Sequence, residues 1–203
     1  MNSLSFPRLR IVVLAAGLSL RLGRPKAFAR VHGLSLLRRT LKVAASLHAA
    51  QIIAVVPSNA ARYQVEARGI EVARIVNSRR SAGLSSSVLR GVTKARYSSA
   101  VLLMPVDLVN LKSSELARLL ARWRAFPRCV IARRIGRNGA SPLILPRWLY
   151  PRALQIAGDV GLRELIAQLP AASRVLVELP SAASDIDTSE DLKAARQSFR
   201  RHA

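Results

Sequence analysis

Cysteine occurs once in these 203 residues, acidic residues eleven times against thirty-three Lys and Arg, and aromatics make up only 4%. Each shortage excludes something. A lone Cys129 makes no internal disulfide, which fits a reducing cytoplasm and argues against a disulfide-stapled secreted domain. So few aromatic rings give little support to the stacking platforms that hold single-stranded nucleic acid. No run reaches the roughly 18 apolar residues that cross a bilayer. His32, His48 and His202 have no metal-ligand spacing with one another or with Cys129, so no zinc site is expected, and no Ser/His/Asp arrangement supports a nucleophilic triad. Repeats, low-complexity tracts and linkers are also missing, so a single domain over residues 1–203 is expected.

What is present is a hydrophobic half and a formal charge of +22. The hydrophobic content is too high for a disordered chain, and a chain of this length buries about 70% of its unfolded surface. The charge attracts anions: nucleic acid, anionic membrane or phosphorylated small molecules. Its cations are scattered in pairs (Arg38–Arg39, Arg79–Arg80, Arg133–Arg134, Arg200–Arg201) with no long basic block, which reads mainly as solvated faces. In so cationic a chain the scarce acids are expected to have specific partners.

Short β-rich runs alternate with helix-period segments. Residues 10–15, 51–56, 100–104 and 129–132 are apolar on both faces, as buried parallel strands are. Residues 34–49, 83–95 and 113–123 carry helical spacing, the last opened by Ser113 or Ser114 as N-cap with Glu115 in its first turn. Residues 141–145 and 174–179 add strands, with an antiparallel pair expected among them. The alternation predicts an α/β layer sandwich with a mainly parallel sheet, in which ligands sit beyond the carboxyl ends of the strands.

Three loops fall at such ends. The first, LAAGLSLRLGRPK over residues 14–26, follows Ile11-Val12-Val13. Charge, apolar run and small residues also suit a secretion signal, but cleavage there would delete the first strand. The loop lacks the GK[ST] ending of a P-loop and the GxGxxG of dinucleotide folds. It has the parts to hold a triphosphate: Gly17 for backbone approach, Arg21 and Lys26 for phosphate oxygens, and Pro25 to stiffen what presents Lys26. The second loop, residues 77–87, ends in Ser85, Ser86 and Ser87 after Gly83, where free N–H groups and hydroxyls suit a base edge, ribose or phosphate. The third carries Asp107, placed to hold a phosphate-bound Mg²⁺, which needs one or two carboxylates. Near the end of the chain Asp185 and Asp187 face one side of an extended segment. Thr188 reads as an N-cap with Glu190 and Asp191 in its first turn.

The pattern LAAGxSxRxGxPK resembles the signature of nucleotidyltransferases with a Rossmann-like fold, especially the molybdenum-cofactor cytidylyltransferase branch. The guanylyltransferase branch usually has glycine where this chain has Ala16. Residues 77–91, NSRRSAGLSSSVLRG, are similar to the family's nucleotide segment, and LLMPVDLVNL to its metal-aspartate strand end, although the family often has proline where this chain has Val109. ASPLILPRWL, AGDVGLRELI and DIDTSEDL follow in family order.

The resemblance implies a three-layer α/β/α sandwich, a Rossmann-like nucleotidyltransferase fold with a mainly parallel mixed sheet. It implies nucleotide contacts at Leu14, Ala15, Ala16, Gly17, Ser19, Arg21, Lys26, Asn77, Gly83, Ser85, Ser86 and Ser87. Acceptor contacts fall on Ser141, Pro142, Asp159 and Gly161. Mg²⁺ is expected on Asp107 with Asp185 or Asp187, Asp185 being favoured. Arg21, Lys26 and Asp107 are the expected catalytic residues. The implied reaction moves CMP from CTP to molybdopterin carrying its metal and releases pyrophosphate. Other phosphorylated acceptors, such as sugar phosphates, and GTP in place of CTP stay open. An acidic molybdoenzyme is an expected docking partner. A nucleic-acid-binding protein without catalysis is the alternative from another class.

Overall fold

The structure is a computed structural model that describes residues 6–57, 61–156, 162–182 and 185–198. Its strands are β1 (Phe6–Leu14), β2 (Arg30–Val31), β3 (Leu34–Ser35), β4 (Ala49–Val56), β5 (Ala73–Val76), β6 (Ala100–Pro105), β7 (Val130–Ile135), β8 (Asn138–Pro146) and β9 (Arg174–Val177). The helices are α1 (Leu36–Ala45), α2 (Ala61–Ala67), α3 (Leu84–Lys94), α4 (Ser113–Ala125), α5 (Tyr150–Ala153), α6 (Leu162–Ala167) and α7 (Ser189–Ser198).

Seven strands form one sheet in the order β5-β4-β1-β6-β8-β7-β9, and β2–β3 form a separate antiparallel pair. Neighbours are parallel from β5 to β6; β8 alone runs against both of its neighbours, and β9 returns parallel to β7. The expected antiparallel pairing is therefore made by β8 against β6 and β7. Residues 174–177 add a parallel edge instead.

Alternation along the strands divides the core in two. Leu9, Ile11 and Val13 face the cluster that receives Leu37 and Leu41 of α1 and Leu116 and Leu119 of α4. Val12 and Leu14 face the cluster of Val88 and Val92 from α3 and Leu165 and Ile166 from α6. Period-2 strands with both faces apolar need helices on both sides, and that is the sandwich. The Ile11–Leu14 run is the middle of the sheet, paired to β4 on one side and β6 on the other, so the secretion reading falls.

Two helix starts differ from expectation. The segment from residue 34 begins with β3, the second strand of the hairpin, and α1 starts at Leu36, where the Ser35 side chain caps the Arg38 N–H. At α4 the N-cap position is the extended Lys112, not Ser113 or Ser114. Glu115 does lie in the first turn, but its buried carboxylate accepts from the Ser181 N–H at 2.9 Å, so tertiary packing has taken it from the helix end. Among the described residues no helix is long and apolar enough to cross a membrane.

Candidate functional site

Leu14 at the end of β1 is in register with Pro105 at the end of β6, and β1 is where the sheet order reverses: β4 and β5 lie to one side and β6 to the other. Loops leaving such a switch point diverge and open a crevice. Here it is a cleft of about 350 Å³ lined by residues 14–21, Lys26, Ala27, Arg80, Gly83, Leu84, Ser87, residues 105–107 and Asp187.

The β1 loop is held open by side chains rather than by a ladder. Leu22 is buried beneath it with Val109, Ile186 and Leu192, and burying one leucine contributes about 1.5–3 kcal/mol. Ser19 has φ 57° and Gly23 φ 67°; a left-handed serine is uncommon and is stabilised here by its hydroxyl, which accepts from the Lys26 N–H at 2.9 Å. Tyr63, buried and with its phenol pushed up to about 12 by that burial, donates to the Ala15 carbonyl at 3.3 Å. Gly17 has ordinary φ, and a Cβ there would meet nothing within 4 Å. The chain bends at Ser19 and Gly23, and Gly17 leaves bare backbone at the cleft.

Lys26 Nζ lies 3.1 Å from Asp107 Oδ2 and 2.6 Å from Asp187 Oδ1. Its side chain is only 13% exposed. Burial works against its charge, but the two carboxylates outweigh burial and hold its pKa above the ordinary lysine value. Arg21, 78% exposed, reaches Asp187 Oδ2 at 3.6 Å, a contact that solvent screens. Asp185 is close by but does not line the cleft: it pairs as an isolated bridge with Leu108 and meets the buried Arg133 guanidinium at 3.5 Å. Burial first, then the charges of Asp107 and Asp187 against the relief from Arg133, push its pKa up. Of the two candidates, Asp187 lines the cleft and shares Lys26 with Asp107, whereas Asp185, the one favoured from the sequence, faces Arg133. Ile186 is buried and its N–H donates to the Asp107 carbonyl at 3.1 Å, and the Asp187 N–H donates to Asp191 Oδ2 at 3.0 Å.

The second loop divides. Gly83 and Ser87 line the cleft. Asn77 is 1% exposed and spends its amide on the hydroxyls of Ser86 (2.8 Å) and Ser87 (3.0 Å). The Ser85 hydroxyl turns back to Ala82 and that of Ser86 to Gly83. These three are outside the cleft and shape the start of α3. Ser141 and Pro142, joined by a cis peptide, are the two residues of β8 just before Leu143, the partner of Leu103. They sit on the cleft edge of the sheet without lining the cleft. Asp159 and Gly161 lie outside the described residues.

Two arginines escaped the sequence reading. Arg80 lines the cleft; the motif segment contains it, but pairing with Arg79 made it look like surface charge. Arg133 is buried, donates to the Ala182 carbonyl, and leaves its Nε without a partner. Nothing in its RR pair marks the first as inward-facing beyond strand alternation.

Among the described residues no three His, Cys, Asp or Glu side chains gather around one point. The donor set nevertheless suits Mg²⁺, which takes one or two carboxylates and completes its shell with water and phosphate oxygens: Asp107 and Asp187 already converge on one cation.

The fold is of the nucleotidyltransferase class. A nucleotidyl transferase from Methanothermobacter thermautotrophicus matches it with a TM-score of 0.80 at 22% identity, over 97% of this chain and 99% of that one. A protein of Mycobacterium tuberculosis in complex with manganese matches with a TM-score of 0.73 at 21% identity, over 94% and 99%. Residues 11–174 match the MobA-like NTP transferase domain, and the chain belongs to that family. A relative named nicotine blue oxidoreductase, from Paenarthrobacter nicotinovorans, is 29% identical over 98% of this chain and 99% of its own length.

Proposed function

We infer that this protein is a Mg²⁺-dependent nucleotidyltransferase that moves a nucleoside monophosphate from its triphosphate to a phosphorylated acceptor. CTP is the favoured donor and molybdopterin the favoured acceptor. One observation carries the reading: Lys26, Asp107 and Asp187 meet at the mouth of the Gly17 loop, a lysine and two carboxylates where a strand-end cleft receives phosphates. CTP over GTP rests on the resemblance at Ala16, and the acceptor on the order of the later motifs.

In this reading the bare backbone at Gly17 admits the triphosphate chain, and Arg21 and Lys26 neutralise its oxygens. An oxygen of the acceptor's terminal phosphate attacks the α-phosphorus in line. The bond from that phosphorus to the bridging oxygen breaks, and pyrophosphate leaves. Asp107 and Asp187 would hold Mg²⁺, which would supply Lewis-acid stabilisation of the phosphoryl oxygens. Everything else is positioning and preorganised charge, with no covalent enzyme intermediate. Acidic surfaces of a cofactor-receiving enzyme suit the +22 charge as a docking partner.

Calorimetric titration with CTP, GTP, ATP and UTP, with and without Mg²⁺, for wild type and Asp107→Asn tests this. A base preference that needs both metal and Asp107 is expected, followed by pyrophosphate release in the presence of acceptor. Equal, metal-indifferent binding that fades steeply with salt would favour the nucleic-acid reading. The likeness to a protein named as an oxidoreductase, over 98% of this chain and 99% of that one, favours a second reading, in which the cleft holds a reduced nucleotide cofactor that passes its electrons to a small-molecule acceptor. Oxidation of that nucleotide without pyrophosphate release would select it.

A further inference from the structure

Lys26 holds the two carboxylates as a divalent cation would, with Nζ 3.1 Å from Asp107 Oδ2 and 2.6 Å from Asp187 Oδ1. Both aspartates are fixed by their backbones. The Asp107 carbonyl accepts from Ile186 N–H at 3.1 Å, and the Asp187 N–H donates to Asp191 Oδ2 at 3.0 Å. Lys26 is anchored by its own N–H on Ser19 Oγ, which leaves the four-carbon stem as the part that moves. Lys26 sets one buried positive charge against two carboxylates, and Arg21, exposed and solvent-screened at 3.6 Å from Asp187 Oδ2, offsets the second only in part, so the group stays open to a stronger cation.

We propose that Lys26 is a stand-in for the metal. It keeps Asp107 and Asp187 paired until a metal–triphosphate complex arrives, then turns its ammonium to the phosphates and cedes the carboxylates to the incoming cation. This rests on the nucleotidyl-transfer reading of the same cleft. The exchange leaves each cation with an anionic partner, because the nucleotide brings both the anion that takes Lys26 and the cation that replaces it. A free divalent ion brings only the second. It must drive a largely buried ammonium from its partners into a place with none, and an unpaired buried charge is costly. Metal loading is thereby made conditional on nucleotide.

The test is a Mn²⁺ titration followed by electron paramagnetic resonance on wild type, Lys26→Met and Lys26→Gln. Without nucleotide, either variant is expected to bind Mn²⁺ about tenfold tighter than wild type, equivalent to about 1.4 kcal/mol. Asp107→Asn added to the variant should abolish that gain. Non-hydrolysable α,β-methylene CTP should tighten Mn²⁺ binding far more in wild type than in the variants. Circular dichroism selects whichever substitution folds, and Gln, which retains a donor between the aspartates, guards against repulsion between them. Equal or weaker Mn²⁺ binding by a folded variant without nucleotide overturns the stand-in. A wild type that binds no triphosphate sinks nucleotidyl transfer instead, and the nucleotide-free comparison still judges Lys26.

Discussion

The two halves of the sheet treat their functional candidates differently. In the parallel half, β5 to β6, every strand delivers its following loop to one edge, and residues as distant as Gly17, Ser87 and Asp107 line one cleft. In the other half β8 runs backwards, so Ser141 and Pro142 enter that edge inside a strand. Their neighbours are held in the ladder, and the nearby charges, Asp185 and Arg133, face each other at 3.5 Å. Direction alone separates a loop that is free to meet a ligand from a strand committed to its neighbours.

The sharpest break of this comparison is Lys26→Ala, expected to lower turnover about 10²–10³-fold, as losing one preorganised charge-stabilising donor does. Wild-type turnover in single-turnover kinetics would remove Lys26 from the chemistry. Asp187→Asn against Asp185→Asn comes next: roughly a hundredfold loss for the first, and less than about tenfold for the second, near the lower end of outer-shell effects at metal sites. Reversal of that order would return the second metal ligand to Asp185.

Two glycines sharpen the contrast further. A Cβ on Gly91 would sit 2.4 Å from Val12 Cγ1 in the packed core, so Gly91→Ala should cost roughly 1–3 kcal/mol in denaturant unfolding. Gly17→Ala meets nothing within 4 Å and should leave the melting temperature unchanged while weakening nucleotide binding roughly tenfold, since small misplacements near reacting groups are expensive. Unchanged binding would mean that no ligand approaches that backbone.

The smallest expected effect lies at α7. Thr188 Oγ1 accepts from the Asp191 N–H at 3.1 Å while Asp191 Oδ2 accepts from the Thr188 N–H at 2.8 Å, the reciprocal box read from the sequence, with Asp191 rather than Glu190 closing it. Thr188→Ala should cost about 1 kcal/mol. The N–H groups of Thr188 and Asp187 hold the Asp191 carboxyl below the usual range. Its contribution is therefore complete above the ordinary carboxylate pKa and is lost as pH falls through the depressed one. Acid unfolding of Asp191→Asn should lack that component.

Much of this was legible beforehand. Strands at residues 10–15, 51–56 and 100–104 announced themselves by apolar runs, because a central parallel strand is buried on both faces and leaves no polar alternation to confuse. Many of the loop residues that line the cleft were legible by type and place, Arg80 excepted. That Asn77, Ser85 and Ser86 spend their polar groups at the start of α3 was not legible, because a polar side chain that shapes a helix start is chemically the same as one that meets a ligand. Ser113 failed as a cap for a related reason: the Lys112–Glu115 turn was arranged by the Ser181 backbone, sixty-six residues away.

By itself the sequence determined the layer architecture, the glycine-and-cation loop after the first strand, the aspartate at the end of β6 and the box at Thr188. All of these depend on residue type and short-range period. Only the tertiary structure decided that Asp187 and not Asp185 joins Asp107, that Arg80 belongs to the cleft, and that β8 is the reversed strand. Those outcomes depend on which backbone lies beside which. The Ile186 N–H on the Asp107 carbonyl joins segments far apart in the chain, and no local pattern of residues records that contact.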